Sequence, residues 1–158
     1  QTLHMVRTVP QKLLDGMEDV LRVKAEWVGL HFSWDAEPIE GEVLADALAI
    51  QQVLLNLFGN ALKVTAPGGS VGVRSGVKGE RWVLEIWDTG RGFDAGELER
   101  LFQPFTQVEI SDIGKGWGLG LSIVKSLVDA HGATITVESR PGHGCTFRLS
   151  FVLLATPA

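Results

Sequence analysis

Trp82-Val83-Leu84-Glu85-Ile86-Trp87-Asp88-Thr89-Gly90-Arg91-Gly92 is the stretch whose reading decides the fold. It alternates apolar and other residues, as a strand covered on one face does. Leu84, Ile86 and Asp88 share one face, and Glu85 and Trp87 share the other. If the first row meets the core, Asp88 is a carboxylate at the mouth of an apolar layer. Such a group is costly unless something donates hydrogen bonds to it. An Asp at a strand end is more often a turn former. Asp88 is followed, however, by two spaced glycines, Gly90 and Gly92, which let a backbone come close to another group.

Upstream, Asp46 suits the N-cap of a helix over residues 47–64. Ile50, Val53, Leu54, Leu57, Ala61 and Leu62 form its apolar side. Asn56, Asn60 and Lys63 lie at i, i+4 and i+7 and so share one face. Asparagine is a mediocre helix former, so two of them stacked with a lysine need a reason beyond solvation. Downstream, Gly114-Lys115-Gly116-Trp117-Gly118-Leu119-Gly120-Leu121 alternates glycines with other residues and runs into a helix predicted over 119–131. Glycines at a helix start leave bare N–H groups for an anion such as phosphate.

The remaining elements follow from periodicity. An amphipathic helix is predicted over residues 10–28, with Pro10 in its first turn. Strands are predicted over 30–35, 42–44 and 71–77, and the last forms a hairpin with 82–88. A short helix is predicted over 95–102. Phe102 and Phe105 flank Pro104 as loop anchors, and residues 106–117 have no strong periodicity. Gly132 is a helix stop, and strands 133–139 and 145–153 form a closing hairpin. Trp27, Trp34 and Trp82 are read as packing residues. Trp87 is read as facing away from the Asp88 side.

The 158 residues suit one domain with a real core. A net charge of −5 with no basic stretch argues against nucleic acid. The single cysteine, Cys145, allows no internal disulfide, suits a reducing compartment and reads as a small apolar strand residue. Apolar runs such as residues 151–155 are too short to span a bilayer, and no signal peptide is visible. The chain begins at Gln1 and is expected to be cut from a longer protein. No Walker, Rossmann, protein-kinase or zinc-spacing motif is present.

Four motifs occur in order: residues 52–65 (QVLLNLFGNALKVT), 88–93 (DTGRGF), 101–107 (LFQPFTQ) and 116–124 (GWGLGLSIV). Residues 131–147 (HGATITVESRPGHGCTF) follow. Together they resemble the catalytic and ATP-binding domain of sensor histidine kinases, within the superfamily of DNA gyrase, the ninety-kilodalton heat-shock chaperones and mismatch-repair ATPases. The resemblance covers nearly the whole chain. It implies the Bergerat fold, a two-layer α/β sandwich with a mixed, mainly antiparallel sheet and about three helices on one face. It also implies a linker remnant over 1–9, a catalytic domain over 10–153 and a flexible tail over 154–158.

The implied cofactors are ATP and Mg²⁺. Asn60 is implied to coordinate the metal, with Asn56 beside it and Lys63 on phosphate. Asp88 is implied to accept the adenine amino hydrogen, supported by Thr89, while Gly90, Gly92 and Phe93 approach base and sugar. Lys115, Gly116, Trp117, Gly118, Leu119, Gly120 and Leu121 are implied to form the phosphate-wrapping lid and the start of its helix. Trp117 departs from the family, which has a small residue there. ATPase relatives carry a Glu where this chain has Asn56, and an amide cannot act as a general base. Transfer to a histidine on a separate dimerisation hairpin is therefore favoured over hydrolysis. Alternatives are a docking-only relative, an anti-sigma-type serine kinase and an ATPase. His4 is rejected as the acceptor, because Met5 replaces the acidic neighbour and no room remains for the hairpin. His31, His131 and His143 read as strand surface, helix end and turn. The implied partners are that hairpin, in a homodimeric parent, and a response-regulator receiver domain. The implied location is cytoplasmic, with an isolated domain that is monomeric and makes no membrane contact, in a parent that inner-membrane anchoring would suit.

Overall fold

A computed structural model describes residues 2–92, 117–139 and 141–155, with backbone alone at 117–120. Its helices are α1 (Pro10–Leu13), α2 (Met17–Trp27), α3 (Ala47–Val64) and α4 (Trp117–Ala130). Its strands are β1 (Val6–Thr8), β2 (His31–Ala36), β3 (Val43–Ala45), β4 (Ser70–Lys78), β5 (Arg81–Asp88), β6 (Thr134–Ser139) and β7 (Cys145–Val152). The main sheet runs β2-β4-β5-β7-β6, with β2 parallel to β4 and the other pairs antiparallel. The long crossover through β3 and α3 is what makes the parallel pair possible.

The sheet's inner face carries Val71, Val73, Trp82, Leu84, Ile86, Phe147, Leu149 and Phe151, all buried in one core with the helices. Trp82 stacks on Phe151 at 5.0 Å, and its indole N–H donates to the Ser75 hydroxyl at 2.7 Å. The outer face is polar. Arg74, Glu85, Arg148 and Glu138 form a ladder of ion pairs at 2.7–3.1 Å across four strands. Trp87 lies on this outer side, flat against Gly72, where a Cβ would come within 2.5 Å of the indole. Its placement away from Asp88 agrees with the strand reading.

Helix α3 has the expected bounds. The Asp46 carboxylate accepts from the Ala49 N–H at 3.1 Å, and its second oxygen accepts from the His4 N–H at 2.9 Å. By length and composition α3 could cross a membrane, but Ile50, Val53, Leu54, Leu57 and Phe58 are packed in the core. Asp46→Ala is expected to lower stability by about 1 kcal/mol, the usual loss of an N-cap, in a urea titration.

Several expectations are corrected. The helix predicted over 10–28 is broken: Gly16 adopts φ +77°, and the Met17 N–H bonds back to the Leu14 carbonyl at 3.0 Å. The break lets Leu13, Leu14 and Met17 all enter the core. Trp27 is 88% exposed and does not pack. The buried line of α2 is Met17, Leu21 and Ala25, and its spacing leaves Val20, Val23 and Trp27 on the opposite flank. Trp34 is half-buried, and Trp82 packs as read. Within residues 1–9, β1 pairs with β3. The near end of the expected tail is also held. Leu154 exchanges hydrogen bonds with Glu42 at 2.7 and 2.9 Å, and Arg7 donates to the Ala155 carbonyl at 2.6 Å. The helix expected over 95–102 and the anchors Phe102 and Phe105 lie outside the described residues.

Candidate nucleotide site

Four chain segments converge at one end of the sheet. They are the end of α3, the start of β4, the end of β5 and the start of β7. Asp88 closes the inner row of β5 and is 7% exposed. Its Oδ1 accepts the Gly90 N–H at 2.8 Å, an Asx-type bond within the loop, and the carboxylate also accepts the Cys145 N–H. Burial nevertheless dominates and pushes the Asp88 carboxyl up from 3.8 to about 6, against those two donors. Cys145, its register partner on β7, is also buried, and its thiol is pushed up to about 12 by burial and then by the Asp88 charge.

The loop after Asp88 needs its glycines. At Gly90 a Cβ would sit 2.5 Å from the Val64 carbonyl oxygen and 2.9 Å from Asp88 Oδ1. Gly92 has φ +70°. The Arg91 N–H bonds the Val64 carbonyl at 3.4 Å, which fastens this loop to the end of α3. The Thr89 hydroxyl accepts from the Ser70 N–H at 3.0 Å, so it is already engaged with β4.

On α3, one turn before that junction, Asn60 is 7% exposed, and its Nδ2 has no hydrogen-bond partner among the described residues. A buried amide in that state costs free energy until it meets an acceptor. Asn56 is half-buried and Lys63 exposed. The cavity lined by Asp88, Trp87, Ser139, Gly144 and Cys145 does not include Asn56, Asn60 or Lys63. The structure thus joins Asp88 to the end of α3 through Gly90 and Val64, without placing all four side chains in one described cavity.

Helix α4 is described from Trp117, so Gly118, Leu119 and Gly120 are helical. Leu121 is fully buried in the core. Phe93, Lys115, Gly116 and the motif over 101–107 lie outside the described residues. Sequence reading missed the Cys145 N–H, the Val64 carbonyl and Gly144. The Gly142-His143-Gly144 spacing was the available signal.

Among the described residues no cluster of three His, Cys, Asp or Glu exists. Asn60 can supply one oxygen, which suits magnesium, an ion that keeps waters and takes its other ligands from phosphate.

Residues 45–155 match the family model described as histidine kinase-, DNA gyrase B-, and HSP90-like ATPase. The chain belongs to that family. Its relatives within the family include bacterial sensor kinases. The chain is 41% identical over 150 residues to the non-motile and phage-resistance protein of Caulobacter vibrioides, covering 89% of this chain and 18% of that protein. It is 40% identical over 141 residues to histidine protein kinase DivJ of the same organism, covering 87% of this chain and 23% of the kinase. Full-length ShkA, solved in complex with AMPPNP, superposes with a TM-score of 0.80 at 29% identity, over 100% of this chain and 33% of that one. The family's Bergerat fold, expected from the motifs, is the fold observed. The chain spans about a fifth of the length of these curated relatives.

Proposed function

We propose that this chain is the ATP-binding catalytic domain of a two-component sensor histidine kinase. It holds Mg-ATP and donates the γ-phosphoryl group to a histidine on a separate helical hairpin. The observation that supports this most is Asp88, a buried carboxylate ending an apolar row beside a loop fastened to the asparagine helix. Asp88 accepts the adenine amino hydrogen. Gly90, Gly92 and Phe93 border the base and sugar, and Thr89 holds the loop to β4. Asn56, Asn60 and Lys63 face the phosphates, with Asn60 as the protein's oxygen ligand to Mg²⁺. Lys115 and Gly116, with Trp117, Gly118, Leu119, Gly120 and Leu121 of α4, form the phosphate-side segment. The metal, when bound, neutralises phosphate charge.

In the transfer, the bond from the γ-phosphorus to the ADP oxygen breaks. A phosphorus–nitrogen bond forms at the acceptor imidazole, whose ring proton leaves to solvent, and ADP departs. The chain's part is positioning and charge stabilisation. Asn56 cannot deprotonate water, which protects the bound ATP from hydrolysis. The partners in this reading are the acceptor hairpin of a homodimeric parent and a receiver domain, in the cytoplasm where ATP is available.

Calorimetry of the folded chain with Mg-ATP tests the binding, and an acid-labile phosphate on a hairpin supplied in trans tests the transfer. Absence of nucleotide heat would overturn the reading. A pH dependence is also expected. Adenine binds the ionised carboxylate, so below about 6 the Asp88 proton must first leave. Adenosine affinity should fall by about tenfold per pH unit below that point and level off above it. A titration series flat between pH 5 and 8 would contradict Asp88 as the acceptor.

A further inference from the structure

His131 follows the last residue of α4, and both its ring nitrogens are engaged. Nδ1 lies 2.7 Å from the Leu127 carbonyl, and Nε2 accepts the Asp46 N–H at 3.1 Å. A carbonyl can only accept and an amide N–H can only donate. The pairing therefore puts a proton on Nδ1, facing Leu127, and a lone pair on Nε2, facing Asp46. The bond to Asp46 ties the end of α4 to the start of α3. The two helices pack along each other, so they run antiparallel.

The lengths then correspond. Asn60 is fourteen residues beyond Asp46, about 21 Å along α3. Gly118 is thirteen residues before His131, about 20 Å along α4. A bond at the far end thus brings the glycine start of α4 level with Asn60. We propose that His131 is a positioning residue that sets the register of the α4 start against Asn60, and with it the phosphate end of the nucleotide site. This rests on the nucleotide reading above. The adenine end is built on the sheet by Asp88 and does not depend on the pin. The T-shaped contact of His131 with Phe151 on β7 holds the ring from the sheet side, at 6.4 Å.

Nitrogen NMR at neutral pH should show the His131 proton on Nδ1; a proton on Nε2 would overturn the assignment. His131→Phe keeps an aromatic ring and removes the acceptor. It is expected to weaken Mg-ATP binding by about tenfold and adenosine binding by less than about twofold, the scale of one amide left without a partner. His131→Gln, which restores an acceptor oxygen, should recover most of the ATP affinity. Equal losses for both ligands, or none for either in a folded variant, would refute the pin. If the wild-type chain bound neither ligand, the nucleotide reading would fall. The pin would then be decided by the tautomer and by hydrogen-exchange protection of the Asp46 amide, which His131→Phe should abolish.

Discussion

Asp88→Asn is expected to weaken adenosine and ATP binding by about hundredfold while making the unliganded chain more stable above pH 6. The first effect follows from acceptor counting. The carboxylate receives N–H groups from Gly90 and Cys145 and must still receive the adenine amino group. Asparagine keeps one acceptor oxygen and turns the other into a donor facing donors. The loss also replaces a charge-assisted bond by a neutral one. The second effect follows from linkage. Below 3.8 Asp88 is protonated in native and unfolded chains alike. Between 3.8 and about 6 the unfolded chain ionises first, so native stability falls as pH rises through that window. Above it the cost is complete, at about 3 kcal/mol for this displacement. Asparagine removes that cost and returns part of it as stability, about 1–2 kcal/mol after its weaker hydrogen bonds are counted. Calorimetry and urea titrations at pH 7 check both halves. A variant that loses affinity and stability together would mean Asp88 is structural, not a strained ligand acceptor.

The parts of this site that could be read from sequence are those set by local pattern. The Asp46 cap and the 3.6-residue period of α3 place Asn56, Asn60 and Lys63. The period-2 row Leu84-Ile86-Asp88 places the carboxylate. Gly132 stops α4 as read, with φ +65° and the Ala133 N–H reaching the Val128 carbonyl at 3.2 Å. The parts that could not be read are those where distant segments meet. Nothing local shows that Gly90 sits against the Val64 carbonyl, that the Cys145 amide serves Asp88, or that Thr89 is taken by Ser70. Gly118 and Gly120 disfavour a helix by propensity, yet the chain is helical there. Trp27 is exposed for a related reason. Size predicts burial only on average, and the core of α2 is already filled by Met17, Leu21 and Ala25.

Gly144→Ala should damage both the fold and the site, whereas Gly142→Ala, in the same turn, should spare the site. Both glycines adopt left-handed backbone, at φ +83° and +79°, so both substitutions carry the same conformational cost of about 1–2 kcal/mol. They differ in surroundings. Around Gly142 a Cβ meets nothing within 4 Å. At Gly144 it would collide with the Asp88 carbonyl oxygen and come within 3.0 Å of the Thr89 Cα, both backbone atoms that no rotamer change can move aside. The end of β5 must shift, and the Cys145 amide that follows Gly144 loses its aim at the Asp88 carboxylate. The expected loss for Gly144→Ala is about 3 kcal/mol or more in stability, with adenosine affinity down by more than about tenfold in whatever fraction folds. Gly142→Ala should lose only the conformational part and bind adenosine as the wild type does. Urea titration and calorimetry on the two variants separate backbone strain, which they share, from the collision, which they do not. Equal adenosine affinity in both would show that Gly144 serves the turn alone, and that the Asp88 carboxylate is held without the β7 amide.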